Sequence, residues 1–383
     1  MNIKILLSFC ITMLYAQLSV AQQDVKVRIH ADKTIHSTDI VIFSGTYQLQ
    51  DTAGQTVKLF NKGDSLHIAP LHYDLVILTK TDTIFCSKHF KLRGVGFLNI
   101  FQLKAGKSIR LYDDDLSISL RVDKTMWLFN EVELEHYVAG VVQSEAGIAK
   151  NSEFYKVQAV AARTYTLKNI TKHAADGYQM CDQTCCQVYK GRCANTEIMM
   201  ATSKTAGEII IDTLSKQPII AVFHSNSGGQ TCNSEDVWGR PLPYLRSVED
   251  PYSIGQTSYS WQKTMTRNEW LDYLQRNFNY PVNDPAAVVK VTHFTQIHRQ
   301  VFLTGNIGLR KIRDDLKLRS TFFNIKEDGN NIIITGKGFG HGVGMSQEGA
   351  INMAKQGFSY IDILKFYYLG TEITTIDSLS KTE

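Results

Sequence analysis

The sequence predicts an α+β protein, in which a β-rich N-terminal domain precedes a core of mixed helices and strands. Short runs of β-branched residues, separated by turn signals, fill residues 25–122. Two segments with apolar residues at three-to-four spacing then flank Glu145, which is typical of helices. Strand-like and helix-like segments follow to about residue 375. We divide the chain into a signal peptide (1–21), the β-rich domain (22–115), the mixed core (116–375) and a polar tail (376–383).

The first 21 residues are predicted to be a secretory signal peptide. Lys4 precedes an apolar run at 5–20, and small residues at 19–21 suit cleavage after Ala21. The run is short for a spanning helix, although an uncleaved anchor is the alternative. Cys10 lies too early for a lipoprotein cleavage site. We expect an exported protein, periplasmic or extracellular, without a stable membrane anchor after cleavage.

Size and charge limit the classes of partner. About 360 residues remain after cleavage, enough for two domains. The formal net charge is +4, and it falls to about +3 when Lys4 is removed. This small excess, together with the lack of a basic run interleaved with aromatic residues, argues against a nucleic-acid partner. A mild positive charge suits an anionic cell-wall polymer.

The predicted β-rich domain carries no catalytic signature. Turn signals at 51–54 and 62–64 separate its strands. Residues 116–122 alternate apolar and polar side chains, as expected for a further strand. The shorter strands are expected at 25–29, 40–44, 56–59, 74–78 and 83–86.

Glu145 lies where the first of the two predicted helices ends. The following loop offers Asn151 or Ser152 as the N-cap of the second helix. A carboxylate at a helix C-terminus faces the negative end of the macrodipole, which tends to raise its pKa. Such a group suits a general acid. The alternative is a solvated surface glutamate at a helix end.

Residues 173–193 combine a histidine with four cysteines. An imidazole and three thiolates within fourteen residues suit a tetrahedral zinc ion. The adjacent Cys185 and Cys186 are not expected to bind together with ideal geometry, and Cys193 is an alternative ligand. Disulfides, such as Cys181–Cys186 with a second bridge from Cys193 to Cys232, are equally consistent with an exported chain. The candidate ligands are His173, Cys181, Cys185 and Cys186.

Two later loops are rich in glycine and polar residues. Residues 224–229, HSNSGG, place two serines beside His224, but without the pattern that exposes a nucleophilic serine. Residues 336–350 place His341 among alternating glycines, in a spacing that fits neither of the common nucleotide-binding loops. Trp238 and Tyr252 lie between these loops. Their rings could stack on sugars or be buried. A capping box, Thr266 to Glu269, begins a helix.

Four separated blocks of the sequence resemble the SpoIID/LytB family, named for stage II sporulation protein D and for an amidase enhancer. They occur in the family's order between about residues 120 and 373, whereas the β-rich domain is covered only loosely. The blocks are LEHYVAGVVQSE with KVQAVAARTY, then CDQTCCQVYKG, then FHSNSGGQTCNSEDVWG with PYLRSVEDP, and finally GKGFGHGVGMSQEGAINMAKQG with ILKFYYLGTEI.

This resemblance implies a SpoIID-like catalytic core and a peptidoglycan lytic transglycosylase, acting on glycan strands that have lost their stem peptides. The family's catalytic glutamate corresponds to Glu145, which would act first as acid and then as base. The family's zinc segment usually has a histidine where Cys185 stands, and a structural zinc would brace a loop. Candidates for orienting the sugar are Arg163, Gln187, Tyr189, Ser225, Ser227, His341, Ser346 and Gln347.

Two alternatives follow from the same resemblance. The enhancer branch implies a non-catalytic module that binds peptidoglycan and has a cell-wall amidase as its partner. Hydrolysis instead of transglycosylation would need a second carboxylate or a positioned water, and Glu235, Asp236 and Glu249 are available.

Overall fold

The computed structural model describes residues 23–147 and 151–379. The predicted signal peptide and residues 380–383 lie outside the described residues. Internal contacts divide the chain into two compact units, each of which includes segments that are distant in sequence. The first unit contains Met1–Gly147, Asn169–Gly207 and Thr375–Glu383. The second contains Ile148–Lys168 and Glu208–Thr374. Helices and strands are mixed in both, which confirms the predicted α+β class.

The strands of the first unit form one sheet. Valine and isoleucine at alternate positions of its first strand, Val25, Val27 and Ile29, are buried, which is the two-residue period of a strand. The strands are β1 (Asp24–Ile29), β2 (Thr38–Gln50), β3 (Thr56–Asn61), β4 (Ser65–Leu71), β5 (Asp74–Leu78), β6 (Thr83–Cys86), β7 (His89–Ala105), β8 (Ser108–Asp113), β9 (Asp115–Leu120), β10 (Met126–Glu133) and β11 (Met180–Cys181).

Within the described residues this sheet has eleven strands, in the order β11-β1-β10-β9-β7-β2-β4-β5-β6, with β3 beside β2 and β8 beside β7. The pairing of β1 with β11 is parallel and that of β1 with β10 antiparallel. The predicted domain boundary at residue 115 coincides with the start of β9, which pairs with both β7 and β10. The sheet therefore continues beyond that boundary into the segment that precedes Glu145.

The described residues of the first unit also form three α-helices. Leu134, Tyr137, Val138, Val141 and Val142 of α1 are buried, at the three-to-four spacing of one helix face. This helix ends one residue after Glu145, as predicted, and Gly147 follows it with a φ of 57°. The predicted polar tail begins with a short helix. The three are α1 (Leu134–Ala146), α3 (Thr196–Lys204) and α10 (Ile376–Leu379).

The second unit contains α2 (Ser152–Lys168), the helix predicted after Glu145. The Asn151 side chain accepts a hydrogen bond from the Phe154 N–H at 3.1 Å, so one of the two predicted caps is confirmed. The other helices of this unit are α4 (Ser234–Trp238), α5 (Arg267–Phe278), α6 (Pro285–Thr292), α7 (Leu309–Asp315), α8 (Gln347–Lys355) and α9 (Tyr360–Tyr367). The predicted capping box of Thr266 and Glu269 is present at the start of α5.

The strands of the second unit form several small sheets, the largest of which has the order β14-β19-β18-β15. Helices α5, α6 and α7 contribute Trp270, Val291 and Ile312 to the hydrophobic core that this sheet shares. The strands are β12 (Glu208–Asp212), β13 (Phe223–His224), β14 (Ser260–Thr266), β15 (His293–Phe294), β16 (Phe302–Thr304), β17 (Ile307–Gly308), β18 (Phe323–Asp328), β19 (Asn331–Lys337), β20 (Met345–Ser346) and β21 (Thr371–Thr375).

None of the helices in the described ranges has both the length and the apolar character needed to cross a membrane.

Candidate active site at Glu145

Glu145 is a half-buried carboxyl group held by a backbone donor. Its Oε1 accepts a hydrogen bond from the Val188 N–H at 2.8 Å. Burial raises the pKa of Glu145 above that of an ordinary glutamate, while the Val188 N–H and the charge of Lys190 oppose the rise. The direction agrees with the sequence-based prediction, but the leading cause is burial. This carboxyl group can therefore keep a proton at a higher pH than an exposed glutamate.

Three consecutive side chains at the end of α1 bind one stretch of backbone, residues 188–195, which we call the wrapping segment. Besides Glu145, Ser144 accepts a hydrogen bond from the Lys190 N–H at 3.0 Å. The Gln143 Oε1 accepts from the N–H groups of Ala194 at 2.7 Å and Asn195 at 3.0 Å. The last turn of the helix and the wrapping segment thus fix each other's position.

The wrapping segment approaches α1 closely at Gly140. A Cβ atom placed there would lie 2.4 Å from the carbonyl oxygen of Gly191 and 2.5 Å from the ring of Tyr189. Contacts this short are not found in folded proteins, so any side chain at this position would force the wrapping segment to shift. The restriction at Gly140 is steric, because the wrapping segment crosses α1 at this residue.

Two of the predicted sugar-orienting residues, Gln187 and Tyr189, flank Val188 in the sequence and are buried. Tyr189 is fully buried, and its hydroxyl donates to the Asn130 Oδ1 at 2.8 Å. Its ring lies 5.0 Å from that of Tyr137 on α1. Gln187 has 2% of its surface exposed. Tyr189 accordingly anchors the wrapping segment in the core of the first unit.

The four predicted metal ligands form a cluster in the first unit. Their ligand atoms all lie within 4.8 Å of one another. The Nε2 of His173 is 3.3 Å from the Cys186 Sγ, and the Sγ atoms of Cys181 and Cys185 are 2.7 Å apart. In a tetrahedral zinc site with bonds of about 2.3 Å, ligand atoms are separated by about 3.8 Å. One imidazole and three thiols are a donor set that fits such an ion, and the sulfur atoms of Cys181 and Cys185 would separate by about 1 Å to bind it.

The sulfur atoms of both adjacent cysteines, 185 and 186, lie within the cluster. Cys193 lies elsewhere, with its Sγ 3.4 Å from the Gln143 Oε1. The six cysteines of the described residues are free, so neither of the two disulfides considered from the sequence is present in that part of the chain.

Asp182, which the sequence analysis missed, anchors the cluster's loop. Its carboxylate accepts from the N–H groups of His30 at 2.8 Å and Ala31 at 3.0 Å. Arg110 donates to it at 3.1 Å. The charge is buried but fully paired, as a buried carboxylate requires. The position of Asp182 directly after Cys181 was the one sequence signal for this role. Aspartates are so common in turns that this position alone does not identify an anchoring residue.

The other six predicted sugar-orienting residues belong to the second unit. Arg163, on α2, is fully buried and donates to the carbonyl oxygen of Glu208 at 2.9 Å. Ser346 is the N-cap of α8 and accepts from the Gly349 N–H at 3.3 Å. The amide of Gln347 donates to the Gln158 Oε1 at 3.4 Å. These contacts place the three side chains in the interior of that unit or at its helix starts.

The two candidate serines of the HSNSGG loop differ in environment. Ser227 is fully buried, and its hydroxyl donates to the Asp250 Oδ2 at 2.7 Å. Ser225 is half-buried and donates to the Ser258 hydroxyl at 3.4 Å. The Nδ1 of His224 lies 3.1 Å from the carbonyl oxygen of Val343. Neither serine is paired with this histidine by the contacts of the described residues, which argues against serine nucleophile chemistry.

His341 is engaged through both ring nitrogens. Its Nδ1 accepts from the Val343 N–H at 3.1 Å, so the proton is assigned to Nε2, which donates to the carbonyl oxygen of Phe223 at 3.0 Å. Burial lowers the pKa of His341 to about 4. The ring is neutral at pH 7, and it braces the glycine-rich loop. Trp238, 40% exposed, has its ring 5.3 Å from this imidazole.

The carboxylates considered for hydrolysis also belong to the second unit. Glu235 pairs with Arg246, which lowers the pKa of Glu235 to about 2. Glu249 is 3.8 Å from the Nδ1 of His298. In hydrolysis the second carboxylate would act as a base or nucleophile, and its ion pair with Arg246 already occupies Glu235.

The chain is similar to one family model and to several known proteins. The family model for stage II sporulation protein, SpoIID, matches residues 122–211. Stage II sporulation protein D of Bacillus subtilis (strain 168) is 37% identical over 266 residues, covering 64% of this chain and 76% of that protein. The protein of the same name from Bacillus amyloliquefaciens is 37% identical over 270 residues, with 65% and 77% covered. The amidase enhancer of Bacillus subtilis (strain 168) is 30% identical over 295 residues, with 62% and 40% covered.

Proposed function

The chain belongs to the stage II sporulation protein D family, and we propose that it is a peptidoglycan lytic transglycosylase that acts through Glu145. The observation that carries the proposal is the environment of this carboxyl group. It is half-buried at the end of α1, its pKa is raised by burial, and the Val188 N–H holds Oε1 at 2.8 Å. A general acid needs an oriented carboxyl group whose raised pKa lets it keep its proton to a higher pH.

The hydrogen bond from Val188 assigns different tasks to the two carboxyl oxygens. Because Oε1 accepts this bond, the proton of the neutral acid resides on Oε2. In the proposed reaction, Oε2 donates this proton to the glycosidic oxygen between N-acetylmuramic acid and N-acetylglucosamine as the bond to C1 breaks. The Val188 N–H and the charge of Lys190 then stabilise the carboxylate that forms.

The same carboxylate completes the reaction as a base. It takes the proton of the C6 hydroxyl of the muramic sugar, and the C6 oxygen closes on C1 to form the 1,6-anhydro product. Protons balance, because Glu145 loses one and regains one. A single carboxyl group serves both steps, unlike the paired carboxylates of most glycosidases.

The proposed cofactor is one structural zinc ion, held by His173, Cys181, Cys185 and Cys186. Bound there, it would crosslink the loop that leads into Val188, two residues after Cys186. Its contribution is to the stability of a loop. The steps above use only groups of the protein and the substrate.

The proposed setting is the cell wall outside the cytoplasmic membrane, with glycan strands stripped of stem peptides as substrate. The rival proposal is a non-catalytic module that binds peptidoglycan and enhances an amidase. The relative that is itself named an amidase enhancer, 30% identical over 295 residues, is the observation in its favour. A cell-wall amidase would then be the partner.

The experiment that separates the two is incubation of the mature protein with intact and with peptide-stripped glycan, followed by mass spectrometry of the new ends. Transglycosylation produces anhydro ends, hydrolysis produces reducing ends, and the enhancer produces neither. We expect anhydro ends from the stripped glycan, and their loss in Glu145→Gln. Glu197→Gln, an exposed carboxyl group on α3 of the same unit, is the matched control and should cleave normally. Native cleavage by folded Glu145→Gln would refute the mechanism.

A further inference from the structure

A pocket lined by aromatic and polar residues lies on the four-stranded sheet of the second unit, and we propose that it binds an acidic N-acetylated amino sugar of the glycan strand. The proposal rests on the proposed function, which supplies the class of polymer. The pocket has a volume of about 440 Å³, within the range of small-molecule sites. We call it the sheet pocket. Its lining comes from β14, β18, β19 and the adjoining segments.

The pairing of the strands separates the two faces of this sheet. Trp261, Gly336 and Phe323 are directly opposite one another, and they belong to the face that packs on the hydrophobic core. The next row, Gln262, Thr335 and Asn324, therefore lies on the other face. Gln262 and Thr335 are exposed. Amide and hydroxyl groups thus stand about 4.8 Å apart across three strands, which suits the spacing of polar groups on a sugar ring.

One wall of the sheet pocket is rigid. The amide of Gln296, which is 4% exposed, donates to the carbonyl oxygens of Thr321 at 2.9 Å and Phe323 at 2.8 Å. Its backbone N–H donates to the Asn324 Oδ1 at 2.9 Å. This last bond orients the Asn324 amide so that its NH₂ group is the donor presented by that side chain. The Asn324 amide is therefore oriented before a ligand binds.

The charge of the lining selects an anion. Lys337 is the one charged residue among those that line the sheet pocket in the described part of the chain, and none is an aspartate or a glutamate. It is exposed and forms no ion pair with a described residue. Its Nζ lies 5.4 Å from the ring centroid of Phe322. In the proposed complex, the acetamido group of the sugar contacts the side-chain amides of the pocket, and its carboxylate contacts the ammonium group of Lys337. N-acetylmuramic acid without its stem peptide carries both groups.

The test is titration of isotope-labelled Glu145→Gln protein with peptide-free glycan fragments, followed by NMR. The inactivated enzyme prevents turnover. We expect the backbone signals of 260–262, 323–324 and 335–337 to shift. Lys337→Ala should weaken the binding of muramic-containing fragments about three- to five-fold, the range of one exposed ion pair. It should leave the binding of chitin oligosaccharides, which lack the carboxylate, unchanged.

Lys326→Ala is the matched control. Lys326 is exposed on the same face of β18, two residues beyond Asn324, and does not line the sheet pocket. It should not affect binding. Equal weakening by the two lysine variants, or equal affinity for chitin and muramic fragments, would refute the assignment, as would the absence of shifts at these residues. Glycan cleavage by the wild-type protein is measured separately. The assignment of the sheet pocket can therefore be refuted while the proposed function is supported, and the proposed function can be refuted while the assignment is supported.

Discussion

Replacement of Gly140 by alanine should separate catalysis from stability. The added Cβ would lie 2.4 Å from the carbonyl oxygen of Gly191 and 2.5 Å from the Tyr189 ring, whereas ordinary contacts begin at 3.4 Å. The wrapping segment must therefore move by about 1 Å. This segment carries the Val188 N–H that orients Glu145. A misplacement of about 1 Å in a catalytic group can cost about 100-fold in rate.

The cost in stability is small, because two effects oppose each other. Overpacking costs about 1–3 kcal/mol. Alanine in place of glycine inside a helix returns about 1 kcal/mol. The net loss is about 0–2 kcal/mol, so Gly140→Ala should remain folded while it loses most of its activity.

The assay pairs release of anhydro ends with thermal unfolding. Ala139→Gly, the neighbouring position on α1, is the control because it costs about 1 kcal/mol of helix stability and adds no atom against the wrapping segment. It should cleave at close to the native rate. A folded Gly140→Ala protein that cleaves as fast as Ala139→Gly would refute the argument that this crossing positions Glu145.

Two further predictions concern the proton and the metal. The value of kcat/KM should fall at high pH as Glu145 loses its proton, with a midpoint above the ordinary glutamate pKa, since burial raises the pKa of this group. Lys190→Ala should move the midpoint to still higher pH, because the lysine charge favours the carboxylate. A midpoint that moves to lower pH would contradict this. Protein purified under reducing conditions should contain one zinc ion per chain by elemental analysis. Cys186→Ser should lose the zinc and unfold at a lower temperature, whereas Cys193→Ser, buried outside the cluster, should retain the zinc. Zinc-free native protein with oxidised thiols would exclude the metal.

Local patterns were predictable from the sequence. The end of α1 and the cap of α2 follow from apolar spacing and from one capping residue, both of which act within a few residues. The ligand cluster is also local, since its members lie within fourteen residues. Strand lengths were less predictable. The expected strand at 40–44 is part of β2, which runs through Gly45 to Gln50 because a register shift, not an end, occurs there.

Roles that depend on distant partners were not predictable. Tyr189 and Ser227 were singled out as polar residues that could face a sugar, and both are fully buried. Their hydroxyls are bonded to Asn130 and Asp250, which lie 59 and 23 residues away in the chain. The sequence does not distinguish a buried hydroxyl group from an exposed one, because the difference depends on the hydrogen-bond partner that the fold supplies.

The contact that matters most for Glu145 leaves no side-chain signature at all. Val188 supplies a backbone N–H, so the identity of its side chain is unconstrained by this bond. The bond requires only that the backbone at Val188 lies next to Glu145. Contacts on both sides of Val188 hold the backbone there. The cluster ends at Cys186, two residues before Val188, and Ser144 holds the N–H of Lys190, two residues after it. The Val188 N–H therefore reaches Glu145 because the chain is fixed on both sides of it.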